Sequence, residues 1–167
     1  MTIAENLILA TRRGRPRGLT LALQRHALQE LKDRIQSLKM GLENRLNNEI
    51  GSLSGGQRQA LTLLMAAWLK PALLLLDEHT AALDPKSADQ VVRLTREIIQ
   101  RDHLTALMVT HSMQQAASLG DRLIMMHKGE ILHDISGREK HRLQPEDLLA
   151  RFDEVRRSEQ LDPAAAD

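Results

Sequence analysis

A continuous apolar run, Ala72 to Leu76, ends at two adjacent carboxylates, Asp77 and Glu78. The run is too short for a core helix and does not alternate with polar residues, so it predicts a strand that is buried on both faces. A second apolar run of this kind follows a helical stretch, over residues 104–109. Buried strands that alternate with helices form layered sheets, and we therefore expect an α/β fold.

The segments around these strands have the periodicity and the punctuation of helices and turns. Helices are predicted over residues 4–12, 20–38, 54–69, 85–100, 113–119 and 145–158, with a turn at residues 12–18. Residues 41–53 are expected to be irregular. A hairpin joins residues 123–126 to residues 130–135 through Lys128-Gly129.

Composition excludes several kinds of partner. The 167 residues have a formal net charge of +1, and aromatic residues make up 1% of the chain. Because there is no strong positive field and few rings can stack on bases, we expect no nucleic-acid partner. Residues 1–40 hold eight Lys or Arg against three Asp or Glu. We interpret this excess as a solvated helical face rather than as a surface for lipid or for an acidic protein.

The absence of cysteine excludes disulfides and thiolate metal sites in this sequence. No apolar run reaches the roughly 18 residues that a membrane span needs. Glu5 comes early, and no basic start precedes the first apolar residues, so we expect no signal peptide.

The acidic pair is the first candidate for chemistry. In parallel α/β sheets, ligands bind at the carboxyl ends of the strands, and neighbouring residues point to opposite sides. Asp77 can hold Mg²⁺ through water, and Glu78 can polarise an attacking water, as in phosphoryl transfer. The alternative is two acids in a loop that leads into the next helix.

The stretch SLSGGQRQ, residues 52–59, is predicted to open a helix. Ser54 is a strong N-cap, and Gly55 and Gly56 carry no side chains that would cover the backbone N–H groups at this end. Such a helix end binds anions, and the Ser54 hydroxyl adds one more donor. An ordinary capped helix explains the same residues equally well.

The stretch MVTHS, residues 108–112, ends the second predicted strand. If the two strands are neighbours, His111 lies at the same sheet edge as the acids and can donate a hydrogen bond to a phosphate oxygen. A single histidine is usually structural. One that is expected beside two acids is a stronger candidate for a functional site.

Over about residues 3–150, these segments resemble the ATP-binding cassette (ABC) family of ATPases. LSGGQ resembles the family's signature, LLLLDE its Walker B strand and following glutamate, and AALD its D-loop. The histidine after the second strand resembles the switch histidine, and the order and spacing of all four motifs agree. The resemblance implies an incomplete P-loop NTPase domain of α/β class, in which a helical subdomain precedes the Walker B half of the core sheet. It implies three parts: a helical-subdomain remnant over residues 1–53, the signature helix and α/β core over 54–136, and a C-terminal helix and tail over 137–167.

The resemblance also implies that two cassettes pair head to tail around ATP. The residues that would contact the nucleotide held by the partner cassette are Ser54, Gly55, Gly56 and Gln57. Asp84, in the D-loop, would act across the dimer.

The remaining implied roles belong to the chain's own half-site. Asp77 would hold Mg²⁺ through water, Glu78 would activate the attacking water, and His111 would hold the γ-phosphate. The implied function is ATP hydrolysis that drives solute import at the cytoplasmic face of the membrane. A second cassette, a membrane permease and a substrate-binding protein would be the partners.

The family's phosphate loop, G-x-x-x-x-G-K-[ST], does not occur in this sequence. Only Gly51 and Gly56 have the required separation, and Gln57 and Arg58 follow them. The Q-loop glutamine and the adenine-stacking aromatic, which precede the signature in this family, are not found either. The chain thus resembles the C-terminal part of a cassette and is expected to be inactive in isolation. A truncated sequence and a separate chain that supplies the loop both remain open.

Three other interpretations compete with a transport ATPase. The first is a non-catalytic remnant that only offers its signature to an intact partner cassette. The second is a chromosome-type or DNA-repair ATPase, which needs sustained heptads before the signature, whereas residues 20–38 give fewer than three. The third is a structural α/β domain without nucleotide.

One residue departs from the family's usual pattern. His79 stands where Pro or Ala is common, and DEHTAALDP resembles a variant in import-type cassettes that pair with small multi-span permeases. Without the preceding half of a cassette, we also expect apolar surface on the two strands to stay open. An isolated chain is then expected to be poorly stable or to associate.

Overall fold

The computed structural model describes residues 1–14 and 25–161. Residues 15–18 of the predicted turn at 12–18, residues 20–24 of the predicted second helix and residues 162–167 of the predicted tail lie outside this part. The chain divides into two compact units, Met1–Met108 and Val109–Asp167. The described elements are, in chain order, α1 (Ile3–Thr11), α2 (Arg25–Gln36), a 3₁₀ turn (Ile50–Ser52), α3 (Gly55–Ala67), β1 (Leu74–Asp77), α4 (Pro85–Asp102), β2 (Ala106–Val109), α5 (Met113–Ser118), β3 (Arg122–His127), β4 (Glu130–Ser136), α6 (Gly137–Arg142) and α7 (Pro145–Leu161).

The helices α3 and α4 begin at the caps that the sequence predicts. Ser54 caps α3 in a capping box with Gln57, in which each side chain accepts from the other residue's backbone N–H. Asp84 caps α4 by accepting from the N–H of Ser87, and Pro85 occupies the first helical position. Both helix starts are therefore fixed by local sequence.

The strands β1 and β2 are hydrogen-bonded neighbours. The N–H of Leu74, the first residue of β1, donates to the carbonyl of Thr105, just before β2. The two strands begin at the same end and are therefore parallel, with α4 as the crossover between them. One side of β1 enters the main core through Leu74 and Leu76, and the helices contribute most of the remaining buried residues, including Ile3, Leu7, Ile35, Leu61, Leu64, Leu94 and Ile98.

The opposite face of this two-stranded sheet is open. Leu73 is 49% exposed, Leu75 is 66% exposed and Leu107 is 54% exposed. The prediction that both strands are buried on both faces is therefore wrong for this chain. Residues in the described part cover one side of the strands, so the alternate leucines that point to the other side meet solvent, as the expectation of open apolar surface anticipated.

The second unit is built on the predicted antiparallel hairpin of β3 and β4, with Leu123 paired to Ile135. Its core joins these two residues to Met125, Leu143 and Leu148. The short helix α6, which directly follows β4, was not predicted, because Gly137 and the charged residues after it have no apolar periodicity. Within the described residues, no helix has the length and apolar composition to cross a membrane.

Candidate functional site

The acidic pair lies where β1 ends. Asp77 is the last residue of the strand and is exposed, and its carboxylate makes no side-chain hydrogen bond or ion pair within residues 1–14 and 25–161. Glu78 is also exposed, and its backbone has φ +38°, in the left-handed region that non-glycine residues seldom occupy. Its carbonyl accepts from the N–H of Ala81 at 2.9 Å, which closes a turn directly after the strand. The chain therefore reverses at this point and leaves both carboxylates at the sheet edge.

The two carboxylates at this edge are too few to enclose a metal ion by themselves. They fit a metal ion that binds together with a phosphate ligand. Among residues 1–14 and 25–161, no three His, Cys, Asp or Glu side chains gather closely enough to hold a metal ion. Mg²⁺ keeps several waters and binds one or two carboxylates together with substrate phosphates. Asp77, with an uncommitted carboxylate, suits that role.

His79 follows the acids and turns inward. Its Nε2 atom lies 3.0 Å from the Oγ1 atom of Thr95, a buried residue in the middle of α4. Burial lowers the pKa of His79 below its usual value, so the ring is neutral at pH 7. The loop after β1 is thereby connected to the helix that follows it.

The start of α3 presents Ser54 and Gly55 to solvent, whereas Gly56 is buried. The Gln57 amide is fixed from two sides, because its Oε1 accepts from the Ser54 N–H at 3.2 Å and its Nε2 donates to the Met40 carbonyl at 3.3 Å. The Ser54 oxygen accepts from the Gln57 N–H, which leaves the hydroxyl hydrogen available to a ligand. These hydrogen bonds hold the helix end in place from within the chain.

The glycines of α3 are also packing residues. A Cβ atom on Gly56 would lie 3.0 Å from the Cβ of Ser87, and one on Gly55 would lie 3.1 Å from a methyl group of Leu83. The SGGQ helix end and the start of α4 are thus pressed together. Asp84 belongs to the same contact region, and hydrogen bonds from the Ser87 hydroxyl and N–H lower the pKa of its carboxyl group.

His111 is exposed and lies just after β2. The residues on either side of it are fixed, since the Ser112 N–H donates to Thr110 Oγ1 at 3.1 Å and Ser112 caps α5 through the Gln115 N–H. His111 belongs to the second unit, whereas the acids belong to the first. Its proximity to the acids therefore stays a prediction.

Of the residues singled out from the sequence, the structure brings together two groups. The first is the SGGQ helix end with Asp84, through the packing of α3 on α4. The second is the acidic pair with His79, through the turn after β1. Sequence reasoning missed Thr95, because a polar residue in the middle of a charged helix gives no local sign that it contacts a distant loop. It also missed the contact of Ser87 with Gly56, because the packing of one helix on another leaves no local signal in the sequence.

Comparisons with known proteins identify one family. A sequence model of the family described as ABC transporter matches residues 1–81, which include SGGQ and the acidic pair. A tyrosine transport ATP-binding protein from Clostridioides difficile (strain R20291) is 44% identical over 153 residues, and the match covers 92% of this chain and 61% of the relative. The phosphate import ATP-binding protein PstB from Aeropyrum pernix is 36% identical over 137 residues, covering 79% of this chain and 51% of the relative.

A solved structure of an inward-facing ABC transporter, described as of metal-chelate type, superposes with a TM-score of 0.70 at 26% identity. The superposition covers 91% of this chain and 58% of that chain. This chain thus spans between half and about three fifths of the length of the relatives compared here. The motifs, the fold and the three kinds of match agree, and the chain belongs to the ABC transporter ATPases, of whose ATP-binding domain it carries a part.

Proposed function

We propose that the chain is the signature and Walker B part of an ATP-hydrolysing subunit of an ABC importer. The observation that carries the proposal is the pair of exposed acids, Asp77 and Glu78, at the carboxyl end of a parallel strand. The names of the relatives support import, since one is a tyrosine transport protein and another a phosphate import protein. Their solutes differ, so the proposal stops at import and does not name a solute.

At the chain's own half-site the two acids divide the work. Asp77 would hold Mg²⁺ through water, and the ion would supply positive charge against the phosphates. Glu78 accepts the proton of the attacking water, a role that typically contributes 10²- to 10⁴-fold to a rate. His111 donates to the γ-phosphate from the end of β2.

The SGGQ helix end contacts a different nucleotide, the one held by a second cassette. The Ser54 hydroxyl and the N–H groups of Gly55 and Gly56 donate to its γ-phosphate, where the positive end of α3 adds to the attraction. Gln57 supports this end through its bonds to Ser54 and Met40. Asp84, packed beside the glycines through the start of α4, transmits the state of one site to the other.

These roles define the partners and the place of action. The chain works with a second cassette, a membrane permease and a substrate-binding protein, at the cytoplasmic face of the membrane. The printed sequence holds no phosphate loop, so the 167 residues alone are expected not to hydrolyse ATP. The phosphate loop of a working site would lie outside these 167 residues.

Ser54 offers a test that separates ligand binding from helix capping. Ser54→Asp keeps an N-cap acceptor but places a negative charge where the γ-phosphate is proposed to lie. In the affinity-purified assembly we expect ATP hydrolysis to fall at least about tenfold, while the thermal midpoint of the chain stays within a few degrees. Ser54→Thr, which keeps both the cap and the hydroxyl, should retain most of the activity. Full activity in Ser54→Asp would contradict the proposed role of the signature.

A second candidate function remains a non-catalytic cassette that offers only its signature. It predicts that Ser54→Asp inactivates the assembly and that Glu78→Gln has no effect. The proposed function predicts that both substitutions inactivate it.

A further inference from the structure

The turn that starts at Glu78 is fixed by a contact that no motif describes. After β1 the backbone enters the left-handed region at Glu78, and the Glu78 carbonyl accepts from Ala81 at 2.9 Å. A second bond follows, from the Leu83 N–H to the Thr80 carbonyl at 3.1 Å. A left-handed backbone at a non-glycine residue costs free energy and persists only where its surroundings impose it.

His79 supplies such a restraint. Its Nε2 atom lies 3.0 Å from Thr95 Oγ1, and these residues are 16 positions apart in the sequence. Thr95 is 3% exposed and its hydroxyl hydrogen is already committed, because Oγ1 donates to the Val91 carbonyl at 2.8 Å. With the Thr95 hydrogen directed at Val91, both groups are satisfied when Nε2 of His79 donates and the Thr95 oxygen accepts. The direction of this bond is set by the helix and not by the loop.

The hydrogen bond between His79 and Thr95 affects Glu78 because of where His79 lies in the chain. His79 is the residue directly after Glu78 and the second residue of the turn, so a fixed imidazole fixes the backbone on which the Glu78 side chain is mounted. Thr95 lies in a helix that packs firmly in the core through Leu94 and Ile98. The loop is thus connected to a helix of the main core.

We propose that His79 is a positioning residue, whose hydrogen bond to Thr95 holds the turn that presents Glu78 at the sheet edge. The link from this turn to ATP hydrolysis rests on the proposed function, whereas the link from His79 to the turn does not. Where proline stands at this position, as is common in the family, its ring restrains the backbone by fixing φ. Here a side-chain bond does so instead.

Thr95 allows a matched test in the assembled protein. Thr95→Val is close to isosteric and removes the acceptor, whereas Thr95→Ser keeps it. Hydrogen exchange of the segment 78–83 is measured by mass spectrometry against the peptides of β1 and α4, together with kcat and KM for ATP. We expect Thr95→Val to speed exchange in this segment about fivefold, the loss of roughly one hydrogen bond, and to lower kcat while KM is unchanged. Thr95→Ser should leave both the exchange rate and kcat close to the wild-type values.

A second pair of variants guards against misfolding of the buried site. His79→Leu removes the donor, and His79→Gln keeps an N–H at similar reach, so the first should resemble Thr95→Val and the second the wild type. Unchanged exchange in residues 78–83 of Thr95→Val would overturn the proposal, as would an increase spread evenly over α4 and β1. If exchange responds as expected but the wild-type assembly hydrolyses no ATP, the positioning role stands and the proposed function fails.

Discussion

At Gly56 the backbone of α3 approaches α4 so closely that a methyl group has almost no room. The neighbouring atom is the Cβ of Ser87, 3.0 Å from where the new carbon would lie. That atom is bonded directly to the helix backbone and cannot rotate away. The glycine is therefore required by packing within this chain, in addition to any contact with a nucleotide.

Gly56→Ala should lower the free energy of unfolding by about 1–2 kcal/mol, since overpacking outweighs the helical preference for Ala. Urea unfolding followed by circular dichroism measures the change. Gly51→Ala is the matched control, because a Cβ there meets nothing within 4 Å. A Gly56→Ala variant as stable as Gly51→Ala would show that the two helices are free to separate.

Asp102 is expected to stabilise the fold through the charge of its carboxylate. Its carboxylate lies 2.7 Å from Arg101 and 3.4 Å from Lys70, and its side chain is 10% exposed. The hydrogen bond from Arg101, aided by Lys70, lowers the pKa of Asp102 in the folded chain. A lowered carboxyl pKa stabilises the fold above the unfolded value of about 4, and this contribution is lost as the pH falls through the folded value.

Asp102→Asn is therefore expected to cost about 1 kcal/mol of unfolding free energy at pH 7. The difference from the wild type should shrink as the pH falls below about 4. Asp89→Asn, an exposed carboxylate on the same helix, serves as the control and should change little. A cost for Asp102→Asn that persists unchanged at pH 3 would contradict this account.

At the scale of elements, α4 connects most of the candidate site. Asp84 caps its first turn, Ser87 in that turn contacts Gly56 of α3, and Thr95 holds the turn after β1. Its last residue, Asp102, closes the far end through Lys70. One helix thus contacts the SGGQ helix end, the AALD segment and the turn after the acids in the first unit.

The sequence predicts these elements well because their signals are local. Ser54, Asp84 and Pro85 fix the helix starts, and Lys128-Gly129 fixes the hairpin, all within a few residues of the structures they create. The burial of the strands could not be predicted from the sequence, since a run of leucines has the same pattern whether one face is covered or both. The contact of His79 with Thr95 could not be predicted either, because it depends on how α4 packs against the β1–β2 sheet.

At the scale of the whole molecule, the open face of the β1–β2 sheet is the main liability. Leu73, Leu75 and Leu107 expose about half or more of their surface side by side on a two-stranded sheet. Contiguous apolar surface next to an unpaired strand edge promotes association. The isolated chain should therefore self-associate as its concentration rises.

Leu75→Lys should weaken this association without unfolding the chain, because the Leu75 side chain is already 66% exposed. Sedimentation velocity over a concentration series measures the effect. Leu149→Lys, at a leucine 52% exposed on α7, makes the same chemical change elsewhere and should leave association as it is. A wild-type chain that stays monomeric and melts in one sharp transition would refute the expectation.

The central claim concerns Glu78, and one measurement tests it most directly. The chain is purified from its own cells by an affinity tag, with the polypeptides that accompany it, and ATP hydrolysis is compared between wild type and Glu78→Gln. The account predicts a hydrolysing wild-type assembly, a loss of about 100-fold or more in the variant, and ATP retained on it. Equal rates in the two assemblies, or no hydrolysis in the wild type, would contradict it.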